Sequence, residues 1–388
     1  MMDNIFSERL QALQTQGLYR KMANMHSRAS ATASIDGKTC DIFCSNNYLT
    51  LANHPDMISK IKAGLDQWGF GTGSSRLING NTTAHINLQH RLATLLGQED
   101  ALIFPTGFMT NYGLLSVIGR EGDLIIFDKL AHASIIDGAI ASKATVRSFP
   151  HKNYDRLVAL LEKKTYKNIY IVSDSIFSMD GDFADITQLV AIKKKYSATL
   201  IIDEAHAFGA TGPDGLGVSH LQGVLNDIDV YVATFSKALG GAGGFIAANN
   251  TICQMLINHS RSFIYTTGLP AINCIAADAA LDIISREPQR QKALWHNCDY
   301  FKKRCQEKGL SHGDSDSYII PIFIGEASRA LAISEALLEK QLMVSAIRPP
   351  TVAPGSSRLR ISILNNHTKP ALDYLCDTLV TLIETIKA

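Results

Sequence analysis

Six short apolar runs constrain this chain of 388 residues more than any other feature. They lie at 101–104, 124–127, 169–172, 200–203, 230–233 and 245–248. A strand that is apolar on both faces must be covered on both, which is the condition of a parallel strand in a wound α/β sheet. Helix-length segments separate most of the runs. The last two lie too close for a full helix between them, which predicts an antiparallel pair.

The flanking regions have another texture. Residues 1–26 read as a helix, with Ile5, Leu10, Leu13 and Leu18 roughly along one stripe. Asp36-Gly37 signals a turn before a short strand at 41–44. A helical segment at 271–310, short strands near 317–324, 343–347 and 358–363, and a terminal helix from Pro370 suggest a smaller α+β domain. The expected division is residues 1–50 as an N-terminal helix and strand, 51–275 as a large α/β domain, and 276–388 as a small C-terminal domain.

Charge and composition exclude several classes of function. Lys and Arg number 37 against 36 Asp and Glu, so the formal net charge of +1 gives no global footprint for nucleic acid or an anionic membrane. No run of about 18 apolar residues occurs, so a membrane-spanning helix is not expected. The start mixes both charge signs and lacks an apolar signal core, which predicts a cytoplasmic protein. The 7 cysteines are scattered and form no Cys-x-x-Cys pair, so reduced, packed thiols are expected and no metal site is.

In wound sheets ligands bind beyond the carboxyl ends of the strands, so the residues just past each run are the ones to inspect. Phe104 leads into Pro105-Thr106-Gly107-Phe108, a turn opening a helix whose first N–H groups can hold a phosphate. Dinucleotide and P-loop signals fail: Gly37-Lys38-Thr39 lacks its earlier glycine, where Thr32 stands, and glycines 240, 241, 243 and 244 miss the G-x-G-x-x-G spacing. A small phosphorylated cofactor fits better. Asp203 at one strand end and Lys237 after the next match what pyridoxal 5'-phosphate (PLP) needs. The carboxylate keeps the pyridine nitrogen protonated, and the amine can join the aldehyde. His132 can stack on the ring and His206 can bond its phenolic oxygen. Taken singly, Asp203 reads as a cap or turn residue, His132 as a satisfied histidine and Lys237 as a solvated lysine. Their order along successive strand ends is what points to a site.

These residues fall in segments that resemble the α-oxoamine synthases, a group of fold-type I PLP enzymes. The segments are Ser45-Asn46-Asn47-Tyr48-Leu49, the Gly-rich stretch 71–80, Asp128-Lys129-Leu130-Ala131-His132-Ala133-Ser134, Phe177-Ser178-Met179-Asp180-Gly181-Asp182, Asp203-Glu204-Ala205-His206 and Thr234-Phe235-Ser236-Lys237. The resemblance spans essentially the whole chain. It implies a wound, mostly parallel sheet with a smaller C-terminal α+β domain, PLP as cofactor, and a homodimer with shared active sites. It also implies roles. Lys237 carries the cofactor and moves the proton at Cα, Asp203 faces the pyridinium nitrogen, His206 the phenolic oxygen, and His132 stacks on the ring. Gly107, Phe108 and Thr234 hold the phosphate, joined by Thr267 from the partner subunit, and Ser178 lies near the cofactor. Asn46 and Arg360 hold the amino-acid carboxylate, while Arg20 and Thr351 lie by the acyl substrate.

Residues 346–352, ending toward Arg358-Leu359-Arg360, resemble the branch of the family that condenses L-alanine with a pimeloyl thioester, of CoA or a carrier protein, in biotin synthesis. The branch joining glycine to acetyl-CoA is the runner-up. A PLP-binding regulatory protein ranks lowest, since no DNA-binding module or basic arm is present. Departures from the family pattern are Asn47 for the usual Asp, Thr50 for Gly, Ser74 for the commoner Gly, and Ala353-Pro354 in reversed order. None touches Lys237, Asp203 or His132.

Overall fold

The computed structural model describes residues 2–28, 30–163 and 165–387. The chain divides into two compact units, one of residues 51–178 and 183–291, the other of 1–50, 179–182 and 292–388. The boundary expected at 275 falls inside the helix Ala271–Arg286, which packs on the helix Pro55–Trp68 of the larger unit. The division therefore comes after residue 291, and the N-terminal 50 residues group with the C-terminal ones.

In the smaller unit, α1 (Met2–Thr15) stops well short of residue 26 because Gly17 turns left-handed at φ +65°. Its apolar stripe is not buried: Ile5, Leu10 and Leu13 are exposed. Strands β1 (Thr32–Ile35) and β2 (Lys38–Ile42) form the hairpin signalled by Asp36-Gly37.

The larger unit is built on seven strands: β3 (Asp100–Phe104), β4 (Leu124–Asp128), β5 (Thr145–Phe149), β6 (Ile169–Asp174), β7 (Thr199–Asp203), β8 (Val230–Thr234) and β9 (Gly244–Ala248). Their order is β3-β9-β8-β7-β6-β4-β5. β9 runs antiparallel to both its neighbours, β8 and β3, and every other pairing is parallel. Five of the strands are buried along nearly their whole length, as the apolar runs require. β5 escaped the sequence pattern. As an edge strand it is mostly exposed or half-exposed and carries Thr145, Arg147 and Ser148, so it has no apolar run to betray it. Leu114 and Leu115 pack into the same core as Phe104, Ile125, Val172 and Ile201.

The smaller unit continues with β10 (Ile319–Gly325), β11 (Leu342–Met343), β12 (Ser345–Ile347) and β13 (Ser357–Ser362). β11 extends the N-terminal hairpin, and β13 lies between β10 and β12 as a fully buried central strand. Period-two alternation turns Leu359 and Ile361 to one face of β13 and Arg358 and Arg360 to the other. Arg358 is neutralised by an ion pair with Asp180, whose segment 179–182 belongs to this unit.

Candidate active site

The carboxyl ends of β6, β7 and β8 open into one cavity of about 240 Å³ in the larger unit, shared with the first turn of the helix Gly107–Ile118. Asp203, the last residue of β7, is 5% exposed. Its Oδ2 accepts from Asn111 Nδ2 at 2.6 Å and its Oδ1 from the Ala205 N–H at 2.8 Å. Directly across the ladder stands Asp174, the last residue of β6. Burial first, and the charge of Asp203 second, raise the Asp174 carboxyl well above the usual carboxylate range. Of the two acids on facing strand ends, the one on β6 is thus made the harder to ionise. Asp174 Oδ2 accepts the His132 N–H at 3.0 Å, which anchors the residue that caps the helix Ala133–Ile140. His132 Nδ1 lies 2.8 Å from Ser134 Oγ. Desolvation by the surrounding atoms, then the Lys237 ammonium, lower the His132 imidazole, so the ring is neutral near pH 7 against the opposing pull of Asp203.

The other end of the cavity is made for an anion. Thr106 caps the helix, its Oγ1 accepting from the Met109 N–H at 3.1 Å. The N–H groups of Gly107 and Phe108, in the first turn, have no acceptor within the helix. Thr234 Oγ1, at the end of β8, donates to the Gly243 carbonyl at 2.7 Å and lies 2.8 Å from Ser236 Oγ. A Cβ on Gly244 would come within 2.5 Å of Thr110 Oγ1 and 2.9 Å of the Gly107 Cα, so only glycine lets β9 pass this close to the helix. Lys237 and buried His206 line the same space. A gripped carboxylate, an amine, a neutral imidazole and a helix N-terminus within about 240 Å³ are the donor set that an aromatic aldehyde phosphate requires.

Seven of the predicted cofactor residues thus meet in one cavity: Gly107, Phe108, His132, Asp203, His206, Thr234 and Lys237. Ser178 and Thr267 do not line it. Ser178 sits half-buried in the turn after β6, and Thr267 is bridged to Ser75. The four predicted substrate residues lie in the smaller unit. Arg360, 6% exposed, donates to Asn46 Oδ1 at 3.2 Å and to Ser362 Oγ at 2.8 Å. Tyr48 Oη donates to the same Asn46 oxygen at 3.0 Å. Arg20 and Thr351 are exposed. Sequence reasoning missed Asn111 and the use of Asp174. Asp174 ends its strand as Asp203 does, so the same rule finds it. Asn111 is the one amide side chain in a mostly apolar helix, Gly-Phe-Met-Thr-Asn-Tyr-Gly-Leu-Leu.

A family model for aminotransferase class I and II matches residues 40–379 of this chain. The chain belongs to that family. Of the predicted site residues, only Arg20 lies outside the matched span. An 8-amino-7-oxononanoate synthase of Citrifermentans bemidjiense is 40% identical over 371 residues, covering 95% of both chains. Among solved structures, a high-resolution structure of SPT with PLP aligns at a TM-score of 0.92 and 29% identity, over 99% of this chain and 98% of that one. The 8-amino-7-oxononanoate synthase of Francisella tularensis aligns at 0.77 and 28%, over 89% and 98%. The fold is that of the fold-type I PLP transferases, and the resemblance to α-oxoamine synthases is borne out. Backbone overlap is higher with SPT, but overlap grades the fold, whereas substrate choice is written in side chains.

Proposed function

We propose that this chain is a PLP-dependent acyltransferase of biotin synthesis, condensing L-alanine with a pimeloyl thioester, with loss of CO₂, to 8-amino-7-oxononanoate. The cofactor reading is carried by one observation: Asp203, Lys237, His132 and the Gly107–Phe108 helix start line a single cavity. The substrate reading is carried by the 40% identity, over 95% of the chain, to a relative of that activity. When bound, PLP supplies an aldehyde that takes up the amino group and a ring that accepts electrons from Cα. Asp203, fixed by Asn111 and Ala205, holds the proton at the ring nitrogen. Asp174, whose carboxyl pKa burial raises, faces Asp203 across the ladder and holds the His132 N–H. His132, neutral and anchored by Asp174, is the plate for the ring, and His206 bonds the phenolic oxygen. Gly107, Phe108 and Thr234 hold the phosphate, with Ser178 nearby. Lys237 takes the Cα proton and later returns it. The amino-acid carboxylate is assigned to Arg360 and Asn46, and the acyl chain to Arg20 and Thr351.

The active form is a cytoplasmic homodimer in which Thr267 completes the partner's phosphate site. Phe70, Ile78 and Tyr265, at 75%, 80% and 72% exposure near the Ser75–Thr267 bridge in sequence, support a face that a second copy covers. No helix among the described residues is long and apolar enough to cross a membrane, and all seven cysteines are free thiols. Turnover of L-alanine with pimeloyl-CoA, assayed beside glycine with acetyl-CoA, tests the reading. The first pair is expected to react faster, and the reverse order would refute it.

A further inference from the structure

The stretch that resembles the pimeloyl-using branch contains an arginine to which no role has been given. Arg348, half-buried just after β12, donates from Nη1 to the Gly17 carbonyl and from Nη2 to the Tyr19 carbonyl at 3.4 Å. One planar fork is spent on the backbone just ahead of Arg20. That backbone leaves α1 through the left-handed turn at Gly17, where the N–H groups of Leu18 and Tyr19 close back on the Leu13 carbonyl but the Gly17 and Tyr19 carbonyls point away from the helix's own donors. Arg348 adds a second tie, from the segment after β12 to those two carbonyls.

The clamp brings two guanidinium groups into one neighbourhood. Burial first, and the Arg20 charge second, lower the Arg348 guanidinium, with Glu335 the one acid opposing them. Among the described residues, neither Arg20 nor Arg348 has a carboxylate within ion-pair distance. Two cations offset by one more distant acid leave a positive locus that a ligand carboxylate would neutralise. An anchor whose backbone is already fixed loses less freedom on binding.

We propose that Arg348 is a specificity-determining positioning residue: by clamping residues 17–19 it presents Arg20 as the anchor for the far carboxylate of a dicarboxylic acyl chain. This deepens, and rests on, the acyl-donor reading above. A monocarboxylic chain of equal length gains nothing from the device.

The test compares pimeloyl-CoA with heptanoyl-CoA, which has seven carbons but ends in a methyl group. Steady-state constants for both donors are measured with L-alanine on the PLP-loaded wild type, Arg348→Gln, Arg348→Lys, Arg20→Gln and the Arg348→Gln/Arg20→Gln pair. Arg348→Gln should raise KM for pimeloyl-CoA by roughly 10-fold, the lower range for a charged hydrogen bond, with kcat little changed. KM for heptanoyl-CoA, and the L-alanine concentration that half-shifts the PLP absorbance, should not move. Lys keeps the charge but not the fork, so Arg348→Lys should recover part of the preference. The double variant should be no worse than Arg20→Gln, because Arg348 acts through Arg20. An equal rise in KM for both donors, or additive losses in the double variant, would overturn the proposal and leave Arg348 a purely structural tie. A wild type that uses pimeloyl-CoA but does not prefer it to heptanoyl-CoA overturns this inference alone. A wild type that prefers glycine with acetyl-CoA overturns the function beneath it.

Discussion

The two units treat their candidate functional residues in opposite ways. In the larger unit the site is made of strand ends and one helix start, and its polar atoms are fixed by short bonds: Asn111 to Asp203 at 2.6 Å, Ala205 to Asp203 at 2.8 Å, Asp174 to His132 at 3.0 Å. In the smaller unit, Asn46 and Arg360 are held on or beside a buried central strand, but Arg20 and Thr351 are exposed on irregular segments. Under the roles proposed above, the contrast follows the chemistry. Electron withdrawal demands groups pre-oriented in a dry cavity, where their electrostatics act at full strength. Recognition of a long acyl chain tolerates, and uses, adaptable side chains on loops.

The sharpest way to break this contrast is to exchange charge for shape at the two facing acids. Asp203→Asn removes the carboxylate and should lower kcat on the order of 10²-fold, even where PLP still binds. Asp174→Asn removes the acid whose carboxyl pKa burial raises, keeps an acceptor for the His132 N–H, and should stay close to wild-type turnover. Stopped-flow or steady-state kinetics on both variants decide it. Equal losses would mean that the roles of the two acids are not divided as their environments indicate.

A second comparison uses one buried histidine in each unit. His85, bonded to the Leu269 carbonyl in the larger unit, and His367, bonded to the Ile42 carbonyl in the smaller, are both pushed down to about 4 by burial. Burial depresses the folded pKa of each, so each is neutral in the native state near pH 7. The stability it contributes is present above pH 6.5 and is lost as pH falls toward 4, up to about 3 kcal/mol apiece. Urea midpoints at pH 7 and pH 4.5 should therefore draw together in His85→Gln and in His367→Gln relative to wild type. If only one substitution narrows the gap, acid sensitivity resides in that unit alone.

Much of the larger unit could be read directly from residues, because burial on both faces leaves an apolar run at every interior strand. β5 could not, since an edge strand need not be apolar. The helical texture at 271–310 is real but breaks into Ala271–Arg286 and Gln289–Glu307, where Pro288 lacks an N–H to continue the ladder. The domain boundary was illegible for a related reason: both helices read as one helical stretch, although Ala271–Arg286 is rich in Ala and Ile and packs on the helix Pro55–Trp68 of the larger unit, whereas Gln289–Glu307 is rich in Lys and Arg. Asp203 and Lys237 were legible because they end successive strands. Asn111 acts through Asp203 from within a helix, and no spacing rule links positions 92 residues apart. Thr50, a departure from the family's usual glycine, occupies a left-handed position at φ +53° and bonds Asn365 Oδ1 at 2.8 Å, a tie between two loops visible only once they are folded.

The central claim is that the larger unit's cavity holds PLP through one lysine. Borohydride reduction of the PLP-loaded protein, followed by proteolysis and mass spectrometry, tests it most directly. The account predicts one reduced pyridoxyl phosphate adduct per chain, on the peptide containing Lys237, and its loss in Lys237→Ala. An adduct on any other lysine, or one that persists in Lys237→Ala, would contradict it.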